Sequence, residues 1–133
     1  MSAFPSLLLR PAMPLLLALV CCIGLTVLRA AGADTGDYPN RPIRIVVPFP
    51  PGGPADILAR IIAQKLTDLL GVQVIVDNRV GAGGIIGTSA VAHAEPDGYT
   101  LLVGTIGTHG INSAIYKKLA YDPIADFAPI ALV

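Results

Sequence analysis

Apolar and polar positions change phase along this chain in a regular order. Ile43, Arg44, Ile45, Val46 and Val47 form a β-branched run, and its continuous apolar end predicts a strand buried on both faces, as in a parallel sheet. Over 55–70 the spacing becomes helical. Leu58, Ile62, Leu66 and Leu69 fall on one face with Ile57 and Ile61 flanking, while Arg60, Gln64 and Thr67 lie opposite. Gly71 supplies the stop. Residues 72–77 repeat the strand pattern, 85–94 form a second helix whose small residues allow close approach to a sheet, and 99–103 form a third strand. A short helix over 112–118, a turn at Tyr121, Asp122 and Pro123, and an apolar strand over 128–133 follow. Strand, loop and helix thus alternate three times, which predicts an α/β fold with a parallel sheet, flanking helices and right-handed crossovers.

The loops between these elements hold the unusual residues. Pro48, Phe49, Pro50, Pro51, Gly52, Gly53, Pro54, Ala55 and Asp56 lead from the first strand into the first helix. Few side chains there stand between backbone N–H groups and a ligand, and the helix start adds unpaired amides and the positive dipole end. The stretch reads equally as an anion cradle and as a plain βα turn. Gly81, Ala82, Gly83 and Gly84 form a second glycine-rich loop, and Gly104 to Gly110 a third, with Thr105, Thr108 and His109 as hydrogen-bonding side chains. His109 is open to two readings, a donor to a ligand or a loop histidine bonding its own backbone. Asp56 is expected to bond backbone amides at the helix start, and Arg79 either to neutralise a ligand charge or to pair with Asp77 on the surface. All three loops leave the carboxyl ends of their strands, so neighbouring strands would bring them to the edge where open α/β sheets bind ligands.

Composition changes the picture at the N-terminus. The chain of 133 residues is 53% hydrophobic and 14% charged, more apolar than an ordinary soluble domain. Arg10, an apolar stretch over 11–28 and the sequence Ala31, Gly32, Ala33 read as a secretory signal peptide over 1–33, cleaved after Ala33, with export to the periplasm. Both cysteines, Cys21 and Cys22, fall inside it, so the mature chain over 34–133 stands without a disulfide. Residues 34–41 read as a polar leader with structure starting after Pro42. Beyond residue 33, seven basic residues face nine acidic ones, a net charge of −2, and no basic run points to nucleic acid. The chain stops inside an apolar run with no closing helix, which reads as a truncated α/β domain.

Catalytic and cofactor motifs fail on inspection. Gly81, Gly83 and Gly87 miss the dinucleotide fingerprint because Ile86 stands at its third glycine, and neither proline- nor glycine-rich loop carries the lysine of a P-loop. Ser89, His93 and Asp97 are spaced by four along one helix, without a strained elbow or a facing oxyanion hole. His93, His109 and Glu95 have no metal-ligand spacing. No cofactor or metal is expected.

Taken in order, several stretches resemble the Bug family, the extracytoplasmic solute-binding proteins of tripartite tricarboxylate transporters. They are Tyr38 to Arg44, Val47 to Asp56, Asn78 to Gly84, Pro96 to Leu102, and Tyr121, Asp122 and Pro123 with Asp126 and Phe127. The resemblance covers the mature chain. It implies the first half of a two-domain periplasmic-binding-protein, or Venus-flytrap, architecture, with 34–133 as the N-terminal part of domain I and domain II absent. It also implies non-catalytic capture of small organic carboxylates for a permease of one large and one small membrane subunit, by a protein monomeric at full length. Ligand-binding residues implied are Phe49, Pro50, Gly52, Gly53, Pro54, Ala55 and Asp56, then Gly81, Ala82, Gly83 and Gly84, then Thr105, Thr108 and His109. Ala55 stands where many relatives carry a hydroxyl residue, and Val80 where many carry proline or a small residue. The competing readings are a ligand-sensing module for a sensor kinase and a fragment of a secreted α/β enzyme.

Overall fold

The computed structural model describes residues 37–133. The expected signal peptide over 1–33 lies outside the described residues. Three strands form one parallel sheet: β1 (Ile43–Val47) at the centre, β2 (Val74–Asn78) on one side and β3 (Thr100–Leu102) on the other. Ile45 lies opposite Val76 on β2 and Leu101 on β3. A central strand explains why β1 is the most apolar of the three. Ile43, Ile45 and Val47 join Ala59, Ala63 and Val74 in the core beneath α1 (Pro54–Leu70), and Val46, on the opposite face, is buried as well. On that side α2 (Ile85–Ala92) packs over β1 and β3. The expectation of a parallel sheet with helices holds.

The helix face does not fall where the large apolar residues predict. Asp56, Ala59 and Ala63 are the buried positions of α1, with Ala55, Ile62 and Leu66 partly buried beside them, whereas Ile57, Ile61 and Leu69 are exposed. Two alanines let the helix axis come close to the sheet, so small residues take the contact that size and hydropathy assign to leucine and isoleucine. Thr67, placed on the solvent side by the pattern, instead faces the sheet margin. Its hydroxyl donates to the Ala63 carbonyl at 2.8 Å and accepts from the Val74 amide at 3.0 Å, satisfying an edge-strand N–H that β1 cannot reach.

Several boundaries differ from expectation. The second strand starts two residues later, at Val74, and the second helix ends at Ala92. The third loop is not all loop, because Gly107–Ile111 winds as a π-helical turn that runs into α3 (Asn112–Ile115), which ends short of Lys118. Residues 128–133 form no strand and are exposed. The polar leader is also tied down earlier than predicted. Tyr38 donates its hydroxyl to the Gly98 carbonyl at 2.8 Å, and the Tyr99 hydroxyl donates to Asn40 Oδ1 at 2.9 Å while accepting the Asn40 amide at 3.0 Å. The Arg41 guanidinium stacks 4.0 Å over the Tyr99 ring and pairs with Asp97. Among the described residues no helix is long and apolar enough to cross a membrane.

Candidate functional site

Because β2, β1 and β3 run parallel, the three βα loops leave the same edge of the sheet, and the structure brings them into contact. A methyl group added at Gly84 would lie 2.9 Å from Thr108 Cγ2 and 3.4 Å from Pro48 Cβ, so second, third and first loops meet at one point. Gly84 has φ of +89°, which only glycine adopts without strain. The close approach and the left-handed backbone thus require glycine together.

The first loop is held from beneath by Asp56. Its side chain is 2% exposed, and Oδ2 accepts from the Gly52 amide at 2.8 Å and from Arg60 Nε at 2.9 Å, while Oδ1 accepts from Asn78 Nδ2 at 2.9 Å. Asn78 also donates to the Phe49 carbonyl at 3.1 Å, so the end of β2 pins both ends of the loop. The expected amide contact of Asp56 is present, and Asn78 and Arg60 are partners that sequence reading missed. A polar residue ending an apolar strand beside a glycine-rich loop is the signal that was there to find. The Asp56 lock takes Gly52 N–H out of service. Pro50 and Pro54 have no N–H, the Gly53 amide closes the turn through Pro51 and Gly52 toward the Pro50 carbonyl, and the amides of Ala55 and Asp56 have no protein acceptor among the described residues.

The second loop turns through four consecutive left-handed residues, Gly81, Ala82, Gly83 and Gly84, with Ala82 at φ +47° the one non-glycine residue of positive φ among those described. An L-residue there carries strain of about 1–2 kcal/mol. The Gly83 carbonyl accepts from Asn112 Nδ2 at 3.0 Å, and the Ala82 and Gly83 amides have no protein acceptor among the described residues. Successive amides in such a turn form an anion-receptive concavity. Tyr116, absent from the expected set, brings its hydroxyl within 3.9 Å of a methyl group added at Gly83.

The third loop places its polar residues differently. Thr108 is fully buried, and its hydroxyl accepts the Thr105 amide at 3.0 Å, donates to the Thr105 carbonyl at 3.1 Å and lies 2.9 Å from His109 Nδ1. Thr108 therefore braces the loop from inside. The half-buried His109 ring meets Phe127 edge-on with centroids 4.9 Å apart. Thr105 stands beside them, its hydroxyl 3.4 Å from the Thr108 amide. Tyr121 closes the assembly by donating to the Thr108 carbonyl at 2.5 Å and accepting from Asn112 at 3.4 Å.

Charge near this edge is paired. Arg60 faces Asp56, and Arg79 donates to Asp77 at 2.9 Å. The Asp56 carboxyl is held far below the usual carboxylate range, first by Arg60, then by the Gly52 amide and Asn78, against the opposing effect of burial. Asp122 is lowered too, by the amides of Ala125 and then Ile124. An unfolded aspartate titrates near pH 3.9. As pH falls through about 4, the unfolded chain therefore takes up protons that the native one refuses, and the stability these groups contribute, complete above about pH 5, drains away. Urea midpoints are expected to be lower at pH 3 than at pH 6, with a shallower acid decline in Asp56→Asn. Equal midpoints at the two pH values would contradict the native hydrogen bonding of both groups.

Ser89, His93 and Asp97 do not assemble. His93 Nδ1 lies 2.8 Å from the Ser89 carbonyl and 3.5 Å from its hydroxyl, both exposed, while Asp97 bonds Arg41 and the Tyr99 amide. Thr88 Oγ1 is buried on α2 with no hydrogen-bond partner among the described residues.

A parallel α/β sheet with its loops gathered at the carboxyl edge is shared with solved periplasmic binding proteins, which this chain matches over part of their length. The structure of MatC from Rhodopseudomonas palustris with bound malate matches 71% of this chain and 32% of its own at TM-score 0.69 and 48% identity. The structure of the periplasmic binding protein BugD matches 70% of this chain and 31% of its own at TM-score 0.66 and 46% identity. The family model described as tripartite tricarboxylate transporter family receptor matches residues 58–133, and the chain belongs to that family. BugT of Bordetella pertussis strain Tohama I is 43% identical over 105 residues, 78% of this chain and 32% of BugT. The chain spans about a third of the length of the relatives it matches.

Proposed function

We propose that this chain supplies one wall of a carboxylate-binding cleft in a periplasmic receptor of a tripartite tricarboxylate transporter, and that it performs no catalysis. One observation carries the reading: amides of Ala55, Asp56, Ala82 and Gly83, left without protein acceptors, stand on two loops that meet at one edge. Such donors bind a carboxylate by charge-assisted hydrogen bonds with no side-chain cation. Membership of a receptor family and the malate held by the relative MatC support the ligand class. Residues 34–133 then serve as the N-terminal part of domain I, facing a second lobe. Phe49, Pro50, Gly52, Pro54, Gly81 and Gly84 shape the backbone, and Thr105, Thr108 and His109 brace the third loop against it. The receptor passes its ligand to the large and small permease subunits after export and cleavage behind Ala33.

Charge-assisted bonds contribute about 1.5–3 kcal/mol each. Association and ordering cost several kcal/mol or more, and a millimolar complex needs about 4 kcal/mol net. Malate is therefore expected to bind the mature chain in the millimolar range. Amide NMR titration should move Ala55, Asp56, Ala82 and Gly83 together, saturating along one isotherm. Absence of any shift at these amides in tens of millimolar malate would overturn the reading.

A further inference from the structure

Asp56 is a buried, ionised group whose charge the binding of a carboxylate does not require. A neutral acceptor would serve to hold the Gly52 amide and Asn78. The carboxylate instead sits at the start of α1, beside the free amides of Ala55 and of Asp56 itself, and its salt-bridge partner Arg60 reaches it from an exposed position one turn along the helix. Water screens Arg60 more than it screens Asp56, so the first loop keeps a residual negative field. That field opposes any anion in proportion to the charge delivered at the loop.

We propose that Asp56 is a selectivity residue, which makes the edge accept the single charge of a carboxylate group and reject a compact doubly charged oxyanion such as sulfate. The inference rests on the carboxylate reading above. Malate and sulfate carry the same total charge at neutral pH, but in malate the second charge lies several bonds away from the first. Only sulfate sets both charges over the Asp56 carboxylate. Asp56 is a positioning residue in this scheme. Its side chain touches no ligand, fixes the loop through Gly52 and Asn78, and sets the field the free amides must overcome.

The test is a comparison of malate and sulfate binding to the mature chain by amide NMR, in the wild type, in Asp56→Asn and in Arg60→Gln. The wild type is expected to prefer malate. Asp56→Asn should shift the sulfate-to-malate affinity ratio toward sulfate by about ten-fold, the effect of one further unit charge a few ångströms beyond contact in a medium of intermediate dielectric. Arg60→Gln leaves Asp56 without its cation and should shift the ratio the opposite way. Arg60 is half exposed, so this second variant keeps the proposal testable if Asp56→Asn fails to fold. A purely structural role predicts weakening of both ligands with an unchanged ratio, and an unchanged ratio in a folded variant overturns the proposal. Failure of malate to bind the wild type overturns the carboxylate reading and this proposal with it. Malate binding with no preference over sulfate overturns this proposal alone.

Discussion

Gly87→Ala is expected to cost about 2–3 kcal/mol and Gly87→Val more than that, out of the roughly 5–15 kcal/mol that holds a domain of this kind. A methyl group at residue 87 would stand 2.6 Å from the Arg79 carbonyl oxygen and 3.0 Å from both Cα and Cβ of Pro48. None of these atoms can turn aside. The Arg79 amide is bonded to the Val47 carbonyl at 2.9 Å, which ties the backbone at Arg79 to the end of β1, and Pro48 is a buried ring at the end of the central strand. Relief requires α2 to lift from β1, and the Gly81–Gly84 loop goes with it. Gly71 provides the comparison. It has φ of +70° but nothing within 4 Å, so Gly71→Ala should cost only the left-handed strain of about 1–2 kcal/mol. Urea unfolding of the three variants separates the effects. Equal losses for Gly87→Ala and Gly71→Ala would show that α2 is free to move.

The sequence pattern predicts the sheet correctly because β1 sits at its centre, where both faces are covered and nearly every side chain must be apolar. The edge where the loops gather follows from parallel topology alone. What hydropathy misreads is contact by small residues: Ala59 and Ala63 carry the helix–sheet interface while Ile57, Ile61 and Leu69 stand exposed. Periodicity ranks residues by their liking for the interior, but the distance between elements is set by the smallest residues in the contact. Polar ties are hidden for a different reason. Tyr38 with Gly98, Asn78 with Asp56 and Thr67 with Val74 join residues 60, 22 and 7 positions apart, and no local rule couples them. Thr105, Thr108 and His109 look alike in sequence as ligand donors, yet the π-helical turn points the Thr108 hydroxyl inward. The first two loops present free amides, which belong to every residue type but proline and leave no mark in composition.

Tyr121 marks the second large effect, in a segment that reads from sequence as a plain turn. Its ring is 5% exposed and meets Phe127 edge-on, and its hydroxyl links the Thr108 carbonyl to Asn112, which in turn holds the Gly83 carbonyl. One side chain thus ties the second loop to the third. Tyr121→Ala removes a buried aromatic ring and should cost about 3–5 kcal/mol. Tyr121→Phe keeps the ring but leaves the Thr108 carbonyl and one Asn112 contact unpaired in the interior, for a cost of about 1–3 kcal/mol. The two values divide the residue into packing and hydrogen bonding, read from urea midpoints at neutral pH. Tyr121→Phe should also loosen Gly83 and lower malate affinity more than it lowers stability, because the second loop loses its brace while β1, α1 and the Asp56 lock stay in place. An unchanged midpoint in Tyr121→Phe would show that the Thr108 carbonyl finds water instead. Equal losses in both variants would assign the whole effect to the hydroxyl and leave the ring without a packing role.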